Sequence, residues 1–325
     1  MLTRNLLRSS ACAVLFAFAG AASALAADTF PTKPIHMVMP AAAGGGIDVV
    51  GRIVAQKMGE FLGQPVIVDS RAGAETLLGT RYAKNQPPDG YTIIAESNGF
   101  LTMDGLKLDP GFDPIKDFQG IGIMQTSTMV YETGASQPDK TLLDVIARGK
   151  AHPDTITFAS GGVGSPPQIM LAAMFQRVGV KATHVLYKGN GAALPDIAGG
   201  RVNLLCDTYT SSAGYYQSGT IRPLAVGSET RMTSLPDVPT LKELGIDFSY
   251  NMWLGLLAPR GVPKDVMKRL SDALLYATRS PDFVERMKKE GSQPGNLTSD
   301  EFDAYLVKDR EKQMPLILSL GIPKQ

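Results

Sequence analysis

Short β-rich runs alternate with helical runs along most of this chain, and that alternation limits its fold more than any other feature. Strands are predicted at 34–39, 65–69, 91–95, 120–124, 128–132, 155–159, 183–187, 202–207, 221–227 and 251–257. Helices are predicted at 47–62, 76–85, 141–149, 166–178, 191–198, 212–217, 238–244, 263–278, 281–290 and 299–318. A helix between two strands returns the chain to lay the second strand beside the first, so the pattern implies one or two parallel-dominated α/β sheets. Helix starts are marked by Ser165-Pro166, Ser280-Pro281 and the capping box Thr298-x-x-Glu301. From Val262 onward the pattern is almost wholly helical, which suggests terminal helices folding back over an earlier sheet.

The first residues bear on the compartment. Arg4 and Arg8 precede an apolar stretch over 11–22, followed by the small-x-small sequence Ala24-Leu25-Ala26. That is the pattern of a secretory signal peptide over 1–27. A membrane anchor fits less well, because the apolar run falls short of the ~20 residues a span needs. The expected mature chain is exported and periplasmic. It is long enough for two domains and carries 30 basic against 31 acidic residues. So even a balance argues against nucleic acid and anionic membrane as partners, and any recognition of an anion has to be local. Outside the signal segment Cys206 is the single cysteine, so no intramolecular disulfide is expected.

Catalytic patterns are missing. There is no GxSxG elbow, HExxH, CxxC or Walker phosphate loop, and the three histidines (His36, His152, His184) are widely spaced. We expect no enzyme activity, no metal and no cofactor. One stretch imitates a dinucleotide fold: PAAAGGGID follows a strand, opens a helix, and precedes Asp69 by a ribose-binding distance. Val49, however, stands where that fingerprint has its third glycine. Glycine-rich turns before helices can instead present backbone N–H groups and the positive end of the helix dipole to an anion. Two such turns are Ala41 to Asp48 and Ser160 to Pro167; a third, Arg71 to Gly79, carries Glu75. Taken singly, each is explained by tight-turn geometry alone. Two facing each other from separate lobes would hold a ligand from both sides.

An ordered series of segments then resembles one family: KPIHMVMPAAAGGGIDVVGR, LGQPVIVDSRAGA, PPDGYTI, FDPIKDF, TFASGGVGSP, VLYKGNGAALPDIAGGRVNLLCD, RPLAVGSETR, LPDVPTLKELG and WLGLLAPRGVP. Together they are similar to the substrate-binding proteins of tripartite tricarboxylate transporters, the Bug receptors. The resemblance implies a two-lobed α/β periplasmic-binding-protein fold, a Venus flytrap of type II-like form with a double hinge crossing. Lobe 1 would comprise 28–131 and 252–325, and lobe 2 would comprise 132–251. It implies a monomeric receptor that captures a carboxylate-bearing organic acid, aromatic or donor-bearing, in the interlobe cleft. Delivery to transporter subunits is the leading reading; a sensor protein as partner, or a secreted α/β enzyme, are the alternatives.

Carried onto this sequence, the resemblance places ligand contacts at Ala41, Ala42, Ala43, Gly44, Gly45 and Gly46 after the first strand. It adds Ala74, Glu75 and Thr76, then Ser97 and Asn98, then Ser160, Gly161, Gly164 and Ser165, with Tyr187 and Asp207 reaching from lobe 2. Asp207 either selects a ligand donor or caps the next turn. Three positions depart from the family pattern: Ala41 replaces a common aromatic, Glu75 a common glycine, and Gln168 a common histidine. These departures imply a ligand bulkier than a four-carbon dicarboxylate, or one bearing hydrogen-bond donors.

Overall fold

The computed structural model describes residues 30–41, 46–187, 189–248, 250 and 252–324, with Gly46 and Glu75 described through their backbone only. The expected signal peptide at 1–27, Ala42 to Gly45 of the first glycine turn, and Lys188 lie outside the described residues.

The chain begins with a βαβ unit of β1 (Ile35–Met39), α1 (Gly46–Leu62) and β2 (Val66–Ser70). It continues through α2 (Leu77–Lys84), β3 (Thr92–Ser97), the short α3 (Met103–Leu106) and β4 (Phe118–Ser127). Here β1 pairs in parallel with β2 and β3. Much later β10 (Met252–Pro259) inserts antiparallel between β3 and β4, and β11 (Ser292–Pro294) pairs antiparallel with β4. The result is one six-stranded sheet of order β11-β4-β10-β3-β1-β2.

The intervening chain builds separate sheets. Strands β5 (Met129–Gly134), β8 (Leu205–Thr208) and β9 (Ile221–Val226) form an antiparallel trio. Beside it β6 (Ile156–Ser160) and β7 (Ala182–Leu186) pair in parallel, joined to the trio by a bridge from Phe158 to Leu204. The protein is therefore two-lobed, and the chain crosses between lobes twice: at Thr128, and again between β9 and β10. Antiparallel pairing is more prominent than strand–helix alternation implied, because β10 and β11 enter the first sheet after that crossing instead of through a helix at its edge.

Helices of the second lobe are α4 (Leu142–Ala151), α5 (Pro166–Val178), α6 (Leu194–Ala198) and α7 (Tyr209–Gln217). The C-terminal helices α8 (Lys264–Thr278), α9 (Pro281–Lys289) and α10 (Ser299–Ser319) return to the first lobe, as the helical C-terminal third implied. One face of the large sheet buries Met37, Met39 and Ile93 against α1 and α8; the other buries Trp253 and Leu257 with Phe302 of α10. Burial of this kind, at roughly 25 cal/mol per Å² of apolar surface, holds the lobe together. Gly255 lets α10 approach, since a Cβ there would lie 2.7 Å from Phe302 Cζ.

Several local expectations need adjustment. Residues 238–244 form turns, not a helix. The Thr298–Glu301 capping box is formed, but Ser165 and Ser280 cap with position only: their hydroxyls donate to Gly162 O and Ala277 O. Val49 is 36% exposed and faces away from the sheet. The close helix–strand approach is made by Gly51, where a Cβ would sit 2.2 Å from Met39 Cε.

Candidate functional site

On the first lobe, three loops leave the carboxyl ends of β1, β2 and β3. Pro40 is buried and Ala41 half-exposed; Pro40 sits against Gly79 of α2, where a Cβ would come within 2.8 Å of it. The β2 loop ends in a 3-10 turn over Ala74–Thr76. Ala74 and Thr76 both take positive φ, 47° and 82°, a left-handed conformation that costs about 1–2 kcal/mol for a non-glycine residue. Strained backbone of this kind persists only where the surroundings enforce it. Part of the enforcement is visible: Thr80 Oγ1 lies 3.0 Å from Thr76 O and 2.6 Å from Glu96 Oε1. Glu96 is buried, and burial raises its carboxyl to about 8 against the opposing bonds from the Thr80 hydroxyl and the Ser97 amide. The β3 loop continues into a 3-10 turn, Asn98–Thr102, with Asn98 fully buried.

On the second lobe, β6 delivers Ser160 into the SGGVGS turn at the head of α5. The Ser160 hydroxyl lies 2.7 Å from His184 Nε2 and 3.1 Å from Gly162 O. Gln168 spans the turn, accepting the Gly164 N–H on Oε1 at 2.6 Å and placing Nε2 3.2 Å from His184 Nδ1. The turn packs on the next loop, where a Cβ on Gly161 would lie 2.7 Å from Asn190 N, so only glycine fits. Tyr187 is half-buried: its hydroxyl donates to Asp196 Oδ2 at 2.6 Å, and its ring packs on the cluster around Leu194 and Ile197. Asp207 ends β8 with 4% exposure. Its Oδ1 accepts the Thr208 amide at 2.7 Å, and the Asn190 and Ser211 side chains lie near enough to favour its charged form. Burial pushes its carboxyl up to about 6, with Thr208, Asn190 and Ser211 offsetting the shift.

The lobes meet at these loops. A Cβ on Gly99 would lie 3.8 Å from Pro166 Cδ and 4.0 Å from Gly164 O, and one on Gly164 would lie 2.5 Å from Leu106 Cδ1. The β3 loop and the SGGVGS turn are therefore in contact, and Ser97, Gly99, Gly164 and Pro166 share one junction. Two cavities of about 340 and 530 Å³ lie elsewhere, and neither includes a residue of these loops.

Chemically the junction suits an anion less simply than a bare helix terminus. Pro166 and Pro167 have no N–H, so two of the donors expected at the start of α5 do not exist. The dipole of the 13-residue helix remains, but within the glycine turn the Gly164 and Ser165 N–H groups are already taken by Gln168 Oε1 and Gly162 O. Asp48 is buried and paired with Arg52 four residues on, which assigns it to the helix. Arg71 is paired with Asp69 and stacked on Tyr82, so neither member of that pair reads as a ribose or ligand clamp. Trp253 is fully buried in the core, edge-on to Phe302, with its indole N–H on Asp309. Sequence reading gave neither Asn190 nor His184 a site role; His184 joins the SGGVGS turn from β7, and Asn190 from the 3-10 turn that follows it. Among the described residues no cluster of His, Cys, Asp and Glu could hold a metal ion.

A two-lobed α/β protein with polar loops apposed at the lobe junction is a solute-binding protein by architecture. Residues 50–322 match the Tripartite tricarboxylate transporter family receptor, TctC, and the chain belongs to that family. A protein of Agrobacterium vitis, encoded in the TAR-I ttuE-ttuC' intergenic region, is 35% identical over 272 residues, covering 83% of this chain and 79% of its own. Among solved structures, the periplasmic binding protein BugD is 32% identical with a TM-score of 0.81, covering 91% of this chain and 100% of its own. An R. palustris protein with adipate is 26% identical with a TM-score of 0.83, again over 91% and 100%. The family consists of solute-binding proteins, not enzymes. No helix among the described residues is long and apolar enough to cross a membrane.

Proposed function

We propose that the protein is an exported receptor that captures a small carboxylate-bearing acid between its lobes and delivers it to a tripartite tricarboxylate-type transporter. In this reading the lobes comprise 28–128 with 252–325, and 129–251, the first boundary falling before the expected 131 because Met129–Tyr131 pair within the second sheet. The observation that carries it is the apposition of the β3 loop and the SGGVGS turn, since a ligand bridging them would favour closure of the lobes. A carboxylate at the positive end of α5 needs no lysine, which fits the even charge balance of the chain. Asp207 supports a ligand that also bears a donor: its carboxyl is buried and raised chiefly by that burial, and a ligand hydroxyl, amine or amide N–H would offset the cost of its charge. Ala41, where an aromatic wall is common in the family, supports a ligand of larger cross-section.

A thermal-shift screen of the mature protein against plain, hydroxylated, aminated and aromatic carboxylates tests this. At a hundredfold excess over Kd, binding adds ~2.7 kcal/mol to the native state, a shift of several degrees. Donor-bearing or aromatic acids are expected to stabilise the protein. Tight binding of plain adipate or succinate, unweakened relative to those acids, would overturn the proposed ligand class. Glu75→Gly is expected to widen acceptance of simple dianions; unchanged preference removes Glu75 from the site.

A further inference from the structure

Both loops that meet at the lobe junction are anchored by short hydrogen-bond relays, and each relay runs through a titratable group that must be neutral. In the first lobe, Thr80 has one hydroxyl proton but lies within bonding distance of two acceptors, Thr76 O at 3.0 Å and Glu96 Oε1 at 2.6 Å. One proton can serve both only as a shared three-centre bond, weaker to each acceptor than a bond of its own. The conflict disappears if Glu96 is protonated: its O–H supplies the shorter contact and Thr80 donates to Thr76, the residue with φ 82°. In the second lobe the same count fixes a tautomer. Ser160 donates to Gly162 O, so its oxygen accepts from His184 Nε2–H. His184 Nδ1 is then the bare nitrogen and accepts from Gln168 Nε2–H, which leaves Gln168 Oε1 for the Gly164 amide. Every group has one role. A second proton on His184 would set Nδ1–H against the Gln168 amide donor, and turning that amide would release Gly164.

We propose that Glu96 and His184 are the positioning residues of the two junction loops, which hold their binding geometry only while Glu96 is protonated and His184 is not. The surroundings support this. Burial raises Glu96 to about 8, and burial alone lowers His184 from the ordinary histidine range. The elements packed against each group are otherwise engaged. On α2, beside Glu96, Arg81 donates to the Asp109 and Pro110 carbonyls and Lys84 pairs with Asp117. The 3-10 turn after β3 carries no charge. Against His184, β6 presents Phe158 and Ser160, and α5 presents Gln168; the one charged residue of α5, Arg177, lies over Phe248.

Binding competence is then bell-shaped in pH, with an alkaline limb near 8 and an acid limb below the usual histidine range. One coupled proton on each limb sets a limiting slope of about tenfold in affinity per pH unit. The consequence for affinity rests on the proposed function, but the relay does not, so the test begins without ligand. NMR titration of the mature protein is expected to show the His184 Nε2–H tautomer at pH 7. The Gly164 amide should shift together with the His184 ring, and the Thr76 and Leu77 amides with the Glu96 carboxyl. Glu96→Gln keeps a neutral donor and should hold the first loop while erasing its alkaline transition, whereas Glu96→Ala should release the loop at every pH. His184→Gln keeps the donor to Ser160 and should erase the acid transition. An Nδ1–H tautomer, or loop amides indifferent to both groups, overturns the proposal. Calorimetry with adipate and with L-malate from pH 5 to 9 then reads the affinity profile. If neither binds at any pH, the proposed function fails for those acids while the amide titrations still decide the relay.

Discussion

The Gly164–Leu106 contact gives a direct measure of how firmly the two lobes are seated on each other. Gly164 has φ +78°, and a Cβ there would meet Leu106 Cδ1 at 2.5 Å, Cγ at 3.5 Å and Cβ at 3.7 Å. Gly164→Ala therefore carries two penalties: ~1–2 kcal/mol for a left-handed alanine, and ~1–3 kcal/mol for a clash that a buried leucine resolves only by moving. Leu106→Ala alone should cost about 2–5 kcal/mol, because the side chain is buried beside Ile317 and Gly164. In the double variant the lost isopropyl group leaves room for the new methyl. The clash penalty vanishes but the left-handed penalty remains, so the double variant should be ~1–3 kcal/mol more stable than the sum of the single effects. Equilibrium denaturation of the four proteins supplies the cycle. Additivity within ~0.5 kcal/mol would mean the two residues do not touch in solution, and the apposition of the lobes at this loop would be refuted with it.

Three further outcomes follow from single residues. Glu132 is buried on β5, accepts from Ser212 and Tyr216, and is raised to about 8 chiefly by burial. Its folded value exceeds the ordinary 4.5, so stability present at pH 4 is lost as pH rises toward 8; Glu132→Gln should flatten that loss by on the order of 1–3 kcal/mol in melts across pH 5–9. Cys206 is fully buried and its thiol is pushed up by burial, so a thiol reagent should modify the native mature chain only at the rate of unfolding. Tyr187→Phe removes the largest influence holding Asp196 low, and the Asp196 carboxyl should move up toward its usual range by NMR titration, while Arg201 keeps it from returning fully.

Legibility of the sequence divided along the range of the interactions. The βαβ start, the SGGVGS turn and the capping box at Thr298 rest on near neighbours in the chain, and the pattern of residues showed them; the return of the C-terminal helices was read from the run of helical residues after Val262. Misreadings arose where distant partners decided. Val49 was weighed as the close-packing position, yet the register of α1 on β1 gives that position to Gly51. His184 was not singled out because its partners, Ser160 and Gln168, come from another strand and a helix. The left-handed turns at Ala74 and Thr76 have no glycine to announce them. One miss was avoidable: Pro166-Pro167 is plain in the sequence, and two prolines at a helix start remove donors that an anion site would use.

If the proposed function holds, residues 28–325, with a formal charge of −1, have to receive an acid at this junction, and the buried carboxylates bear on how. Glu96 stands next to Ser97 on β3, and Glu132 shares a face of the second sheet with Asp207, two residues along the paired strand. Were both ionised at pH 7, they would set negative charge behind the very loops that have to accept a carboxylate. With both raised to about 8 they are mostly neutral there, and the effective balance moves from −1 toward +1. Under the proposed function Asp207, raised to about 6, keeps most of its charge at pH 7 and would discriminate, repelling an acid with nothing else to offer and attracting one that brings a donor. Selectivity should therefore sharpen between pH 5 and 7, as Asp207 ionises, before affinity itself declines above 8. In the variant Asp207→Asn, the preference for donor-bearing over plain carboxylates should no longer change across that lower interval. A preference that still sharpens in the variant would place the selecting group elsewhere.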